Sequence, residues 1–138
     1  MKRQKGFTLV ELVVVVMILG ILAAVAAPKL LSTSATASDN GVKQTLAVIR
    51  DAIERYAAQK GGSLPSAPAT DLITENLIRA PFPKCPVGTN AGSAVVAAGT
   101  DMTPGGTEGW RYSTATGEFI INSIEASGGG SGAAYNTF

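Results

Sequence analysis

Apolar side chains fill the chain from Phe7 to Ala27, and the one ionisable residue among them, Glu11, sits near the start of the run. A helix rises about 1.5 Å per residue, so residues 7–27 cover roughly 31 Å, close to the ~30 Å hydrocarbon core of a bilayer. The pattern predicts a membrane-spanning helix. Pro28 follows, and a proline in such a helix kinks it and removes one hydrogen bond without having to end it. The stretch from Ser32 to Gly41 is small and polar, rich in poor helix formers, so it is the weakest part of the helical prediction, and Ser38 or Asp39 could cap a second helix there. From Val42 the period is clear. Val42, Leu46, Ile49, Ile53 and Tyr56 recur at helical spacing and make one apolar stripe, the face of a core. Asp51 and Arg55 pair at i, i+4 on the wet side, and Gly61-Gly62 supplies the stop.

Beyond the stop the signals shorten. Pro65, Pro68, Pro81, Pro83 and Pro86 punctuate a connector that holds one short helix, expected over 70–78 with Thr70 or Asp71 as its cap. Three strands follow at 94–98, 109–113 and 118–124, with Trp110 and Tyr112 on one side of the second by alternation. Gly117 is expected to take a positive φ in the hairpin turn between the last two. Together these elements predict an α+β chain in which a small antiparallel sheet of about three strands lies on the helix stripe. The glycine-rich residues 127–138 cannot bury a core by composition and are expected to be a flexible tail.

Composition narrows the chemistry. Lys2, Arg3 and Lys5 precede the apolar run with no acidic partner, which places that flank on the cytoplasmic side and the rest of the chain outside. Without those three of the eleven basic residues, eight face ten acidic ones, a formal charge of −2. That balance does not suggest a nucleic-acid binder. Histidine is absent and cysteine occurs once, as Cys85, which removes the commonest general base and metal ligand and any disulfide within this sequence. Cys85 reads first as a small buried apolar residue, with an intermolecular bridge or a free thiol as the other reading. The Pro104–Gly109 loop lacks the ending of a phosphate loop, and Asp101, Glu108, Glu118 and Glu125 lack calcium-loop spacing. No catalytic, cofactor or metal residue is expected.

Glu11 then needs a reason. A carboxylate inside a span costs a few kcal/mol unless paired, and is a functional residue by default. An ordinary signal peptide has a shorter core and an A-x-A-like cut, for which Ala23–Ala27 offers small residues. Cleavage between Gly6 and Phe7 would instead create a positive α-amino group near Glu11 or near the Glu11 of a second copy. The segment Gly6-Phe7-Thr8-Leu9-Val10-Glu11-Leu12 resembles the processing motif of type IV pilins and the pseudopilins of type II secretion. The resemblance implies that prepilin peptidase cuts after Gly6 and methylates Phe7. It also implies that Glu11 pairs with the amine of an adjacent subunit during assembly, and that Gly20 and Pro28 mark where the helix loosens or bends. The implied organisation is a leader over 1–6, a transmembrane and assembly helix over 7–27, an outer amphipathic helix over 28–60 and a small globular domain over 61–126, before the tail. The implied partners are the peptidase, identical or related pilin subunits, membrane lipid before assembly, and a membrane platform with a cytoplasmic motor ATPase. The implied location is the bacterial cytoplasmic (inner) membrane, crossed once, and a filament after assembly.

Within that family the single cysteine favours a secretion pseudopilin, since surface pilins commonly close a C-terminal loop with a disulfide. The Gly-Trp-x-Tyr hairpin is also similar to the C-terminal hairpin of some pseudopilins. Major pseudopilins often bind calcium through aspartates in a C-terminal glycine-rich loop. This chain has no aspartate after Asp101, so that site is not carried over. Two other classes compete. A ligand- or DNA-presenting minor pilin would need a basic patch, for which the outer domain offers Arg79, Lys84 and Arg111. A membrane-anchored enzyme would have to work with scattered carboxylates or Cys85.

Overall fold

The structure is a computed structural model that describes residues 6–130 and 132–138. Lys2, Arg3 and Lys5, on which the expected orientation rests, lie outside the described residues. Two compact units divide the chain at Ser34/Ala35.

One helix, α1, runs from Leu9 to Gln59 and contributes to both units. Pro28, Ser38 and Asp39 all lie inside it, so no second helix begins in the small polar stretch. Hydroxyls there turn back on the helix: Ser32 Oγ and Thr33 Oγ1 donate to the Lys29 carbonyl at 3.0 and 2.8 Å. Such local bonds satisfy the polar side chains without breaking the main-chain ladder, although they weaken it slightly. In the first unit every residue from Phe7 to Leu31 is exposed.

The second unit is built on the predicted stripe. Val42, Leu46, Ile49, Ala52 and Ile53 are buried in one cluster with Leu72, Phe82, Trp110, Tyr112, Phe119 and Ile121. Asp51 and Arg55 form their exposed pair at 2.9 Å. The Gly62 amide closes the helix end on the Ala57 carbonyl at 2.7 Å, a six-to-one bond of the Schellman kind. A short helix α2 spans Pro68–Thr74, earlier than expected. Pro68 opens it, because a missing N–H costs nothing in a first turn, and Asp71 caps it from inside by accepting the Ala67 amide at 2.9 Å.

The strands are β1 (Val96–Gly99), β2 (Trp110–Ser113) and β3 (Phe119–Ile121), ordered β1-β2-β3. The β2–β3 pair is an antiparallel hairpin, with Tyr112 opposite Phe119 and Gly117 at φ +77°. The β1–β2 pair is parallel, with Val96 opposite Trp110. The sheet is therefore mixed, and the expected all-antiparallel sheet is corrected. Alternation reports which face a side chain takes, and it is the same in both pairings. Direction is decided by residues 100–109, which carry the chain back to the end where β1 began. Gly109 marks that arrival: a Cβ there would collide with the Ser93 carbonyl oxygen and come within 2.7 Å of Cys85 Cβ.

Aromatic packing fills the centre. Trp110 and Phe119 lie 5.4 Å apart, Tyr112 and Phe119 6.3 Å, and the Trp110 indole donates to the Pro83 carbonyl at 2.9 Å. The C-terminal stretch expected to be flexible is packed here. Its glycines turn the chain so that Ala134 bridges Ala126, and the Tyr135 and Asn136 amides donate to the carbonyls of Glu125 and Ser123, each at 3.0 Å. Tyr135 is buried. The Asp39 carboxylate on α1 accepts the Tyr135 hydroxyl at 3.0 Å and the Gly128 amide at 2.8 Å. Arg50 donates to the main-chain oxygens of Phe119 at 2.8 Å and Phe138 at 2.6 Å, and Lys43 Nζ lies 4.6 Å from the centre of the Phe138 ring. Two aromatic side chains supply the burial that the glycines lack.

The Tyr112 hydroxyl is buried, and among the described residues it has no hydrogen-bond partner. Burial, with smaller contributions from Asp71 and Tyr56, pushes its pKa up to about 12. An unfolded tyrosine ionises near 10, while burial keeps this one neutral, so the group costs nothing through ionisation below pH 10 and lowers stability as pH rises from 10 through 12. We predict that Tyr112→Phe keeps or raises stability at pH 7, since it removes an unpartnered polar atom, and flattens the loss of stability between pH 10 and 12. Chemical denaturation of the detergent-solubilised chain, followed by Trp110 fluorescence, measures both.

Candidate assembly site at the helix N-terminus

Gly6, Phe7 and Thr8 precede the helix, which opens at Leu9. The Glu11 side chain folds back over that opening. Its Oε2 accepts the Thr8 amide at 2.8 Å and the Thr8 hydroxyl at 2.7 Å, while Thr8 Oγ1 accepts the Glu11 amide at 3.2 Å. This is a reciprocal capping box: the threonine and the glutamate each satisfy a main-chain donor that the first helical turn leaves unpaired. The negative charge also sits at the positive end of the helix dipole.

Glu11 therefore has partners within its own chain. The sequence reading treated the carboxylate as waiting for an amine and passed over Thr8, although Thr-x-x-Glu ahead of an apolar run is the capping-box signature. One oxygen takes both bonds from Thr8. Oε1 has no partner among the described residues, and an ionised carboxylate accepts about four bonds, so the side chain can hold its cap and bind a cation together.

Around this polar point everything is apolar and uncovered. Phe7 is 88% exposed, Leu9 79% and Leu12 62%. Among the described residues α1 is the one helix long and apolar enough to cross a membrane. Gly20 lies in uninterrupted helix with open space about its Cα, and Pro28 sits eight residues later in the same helix. A surface of this kind has two suitable environments, hydrocarbon or other apolar helices.

The remaining candidate chemistry is committed elsewhere. Cys85 is buried with its thiol donating to the Val87 carbonyl at 3.2 Å, and burial pushes its pKa up, away from the reactive thiolate. Arg111, one of the three cations proposed for a basic patch, is held by oxygens of its own domain. Asp101 accepts the Thr103 amide at 2.8 Å, which holds its pKa below the usual range, and the Glu125 carboxylate accepts the Thr89 hydroxyl at 2.6 Å. Among the described residues no three acidic or cysteine side chains group as a metal site.

Comparison with known proteins agrees with the N-terminal geometry. Residues 1–27 match the family model described as the prokaryotic N-terminal methylation motif. The chain is 40% identical over 83 residues to fimbrial protein EcpB of Eikenella corrodens, which is 59% of this chain and 51% of that protein. It is 33% identical over 81 residues to type II secretion system core protein G of Klebsiella pneumoniae, 59% of this chain and 55% of that protein. It is 40% identical over 60 residues to the type IV narrow pilus major component PilA5 of Thermus thermophilus, 44% of this chain and 52% of that protein. The chain thus spans about half the length of the curated relatives it matches. No solved structure matches it. Through the methylation motif of residues 1–27 and these relatives, the chain is similar to type IV pilins and type II secretion pseudopilins.

Proposed function

We propose that the chain is cut by prepilin peptidase between Gly6 and Phe7, methylated on Phe7 and polymerised through its N-terminal helix into a type II secretion pseudopilus. The observation that carries this reading is the open Oε1 of Glu11 within an otherwise apolar, uncovered helix start. A new α-amine on Phe7 of a neighbouring copy is a cation of the right size to fill it. The helix is stored in lipid in the cytoplasmic membrane, with the second unit outside, and passes into contact with other helices on assembly. Gly20 and Pro28 give it places to loosen or bend, since glycine lowers helix stability by about 1 kcal/mol and proline removes a main-chain bond. A membrane platform and a cytoplasmic motor ATPase supply the work.

The pseudopilus is preferred because core protein G from several secretion systems is among the similar proteins and because the sequence holds one cysteine, buried as Cys85. A surface type IV pilus is the second reading, favoured by the 40% identities to the fimbrial protein and to the narrow-pilus component. A DNA-presenting minor pilin is less favoured, because Arg111 is engaged within its own domain.

Three outcomes are expected. Mass spectrometry of the chain from native membranes finds residues 1–6 removed and one methyl group added to Phe7; an intact Met1, or a terminus near Ala27, sinks the reading. Glu11→Leu still inserts in the membrane, but filament yield falls by roughly tenfold or more, the scale of losing one charge-assisted hydrogen bond per contact; wild-type yield from that variant removes Glu11 from assembly. Deletion abolishes secretion of folded substrates and leaves surface filaments in place, whereas loss of surface filaments with normal secretion selects the pilus.

A further inference from the structure

The loop that joins β1 to β2 is closed by side chains in an unusual way: its carbonyl oxygens converge on donors from three residues. All three Arg111 guanidinium nitrogens are engaged, two by carbonyls of the loop and one by the Asn122 side chain that also holds it. Nη1 donates to the Asp101 carbonyl at 2.9 Å, Nη2 to the Gly105 carbonyl at 3.2 Å and Nε to Asn122 Oδ1 at 3.1 Å. Asn122, only 4% exposed, also accepts the Gly105 amide at 2.7 Å and donates to the carbonyls of Gly105 and Glu108, each at 2.7 Å. Its two donors and two acceptor sites are therefore all in use. From the other side, Asn90 Nδ2 donates to the carbonyls of Gly106 and Glu108 at 3.1 and 2.9 Å.

Main-chain carbonyls and an amide oxygen are the neutral oxygens with which proteins hold hard cations such as calcium. Here a permanent cation already lies against them. The guanidinium is planar, carries five donors in a fixed fork and does not deprotonate in proteins. Calcium instead needs six to eight oxygens at about 2.3–2.6 Å and usually carboxylates among them. The Asp101 carboxylate is turned to the Thr103 amide, and that of Glu125 to Thr89. The calcium site that resemblance to major pseudopilins would imply does not fit these residues.

We propose that Arg111 is this chain's built-in replacement for a divalent cation: its guanidinium organises the 101–108 loop, so the outer domain folds without calcium. Asn122 and Asn90 position the carbonyls around it. The consequence is a subunit whose outer domain needs no extracellular calcium to hold its shape. The proposal concerns the loop alone, so its failure would leave the filament reading untouched, and failure of that reading would leave the loop's chemistry intact.

The test uses the full chain in detergent, in millimolar calcium and in excess chelator, with two readouts: thermal unfolding by Trp110 fluorescence and proteinase K cuts mapped by mass spectrometry. The wild type is expected to show the same midpoint and the same protection of 101–108 in both solutions, and to bind no calcium in titration calorimetry. Arg111→Met, which keeps the length and loses charge and donors, is expected to speed cleavage within 101–108 by roughly tenfold, about 1.4 kcal/mol of local protection. Arg111→Lys, a point charge without the fork, should fall between. Calcium binding or calcium-dependent protection in the wild type overturns the proposal, as does a loop left fully protected in Arg111→Met. If Arg111→Met fails to fold, the wild-type calcium titration and Arg111→Lys still decide it.

Discussion

A helix satisfies its own main-chain hydrogen bonds, and for that reason one backbone can serve two solvents. Between Leu9 and Gln59 the side chains change completely while the helix continues. In the first unit they are apolar and uncovered, as hydrocarbon or neighbouring helices require. In the second, one stripe from Val42 to Ile53 is buried and the opposite face carries the exposed pair Asp51–Arg55. Ser32 and Thr33 return their hydroxyls to the Lys29 carbonyl, which satisfies those side chains without breaking the ladder. The helix cannot satisfy itself in its first turn, and there Thr8 and Glu11 supply missing bonds.

That cap changes how the acid at the edge of the apolar run is understood. Placing an unpartnered carboxylate in a membrane is costly, but Glu11 shares its charge with Thr8 and with the helix dipole, which lowers the cost of storing the subunit in lipid. Its second oxygen stays open, and in the proposed function that oxygen is where the amine of a neighbouring copy would bind.

The outer unit solves a different problem. Its strands are only four, four and three residues long, too short for the sheet ladder to hold the loops. Long-range bonds from side chain to main chain do that work. Arg50 ties Phe119 and Phe138 to α1, Asp39 ties the C-terminal stretch, and Arg111 with Asn90 and Asn122 closes the crossover between the parallel strands. Each joins residues that are not neighbours in sequence, and each uses a polar group that would read as an ordinary solvated side chain in isolation.

Features written in local chemistry were legible before the structure. They include the apolar span, the stripe from Val42 to Tyr56, the stop at Gly61-Gly62, the shared face of Trp110 and Tyr112, the burial of Cys85, and the positive φ of Gly117. All depend on period, residue volume or backbone preference within a few residues. The Thr8 cap was equally local and was overlooked. The parallel direction of β1, the packing of Tyr135 and Phe138, and the roles of Asp39, Arg50 and Arg111 were not legible. Side-chain alternation is blind to strand direction, and a glycine-rich stretch reveals nothing of a docking partner some ninety residues earlier. The sequence by itself determined the two solvents of the helix and the chemistry of its first turn, because both follow from neighbours along the chain; only the tertiary structure decided how the outer loops are held, because their partners meet only once the chain has folded.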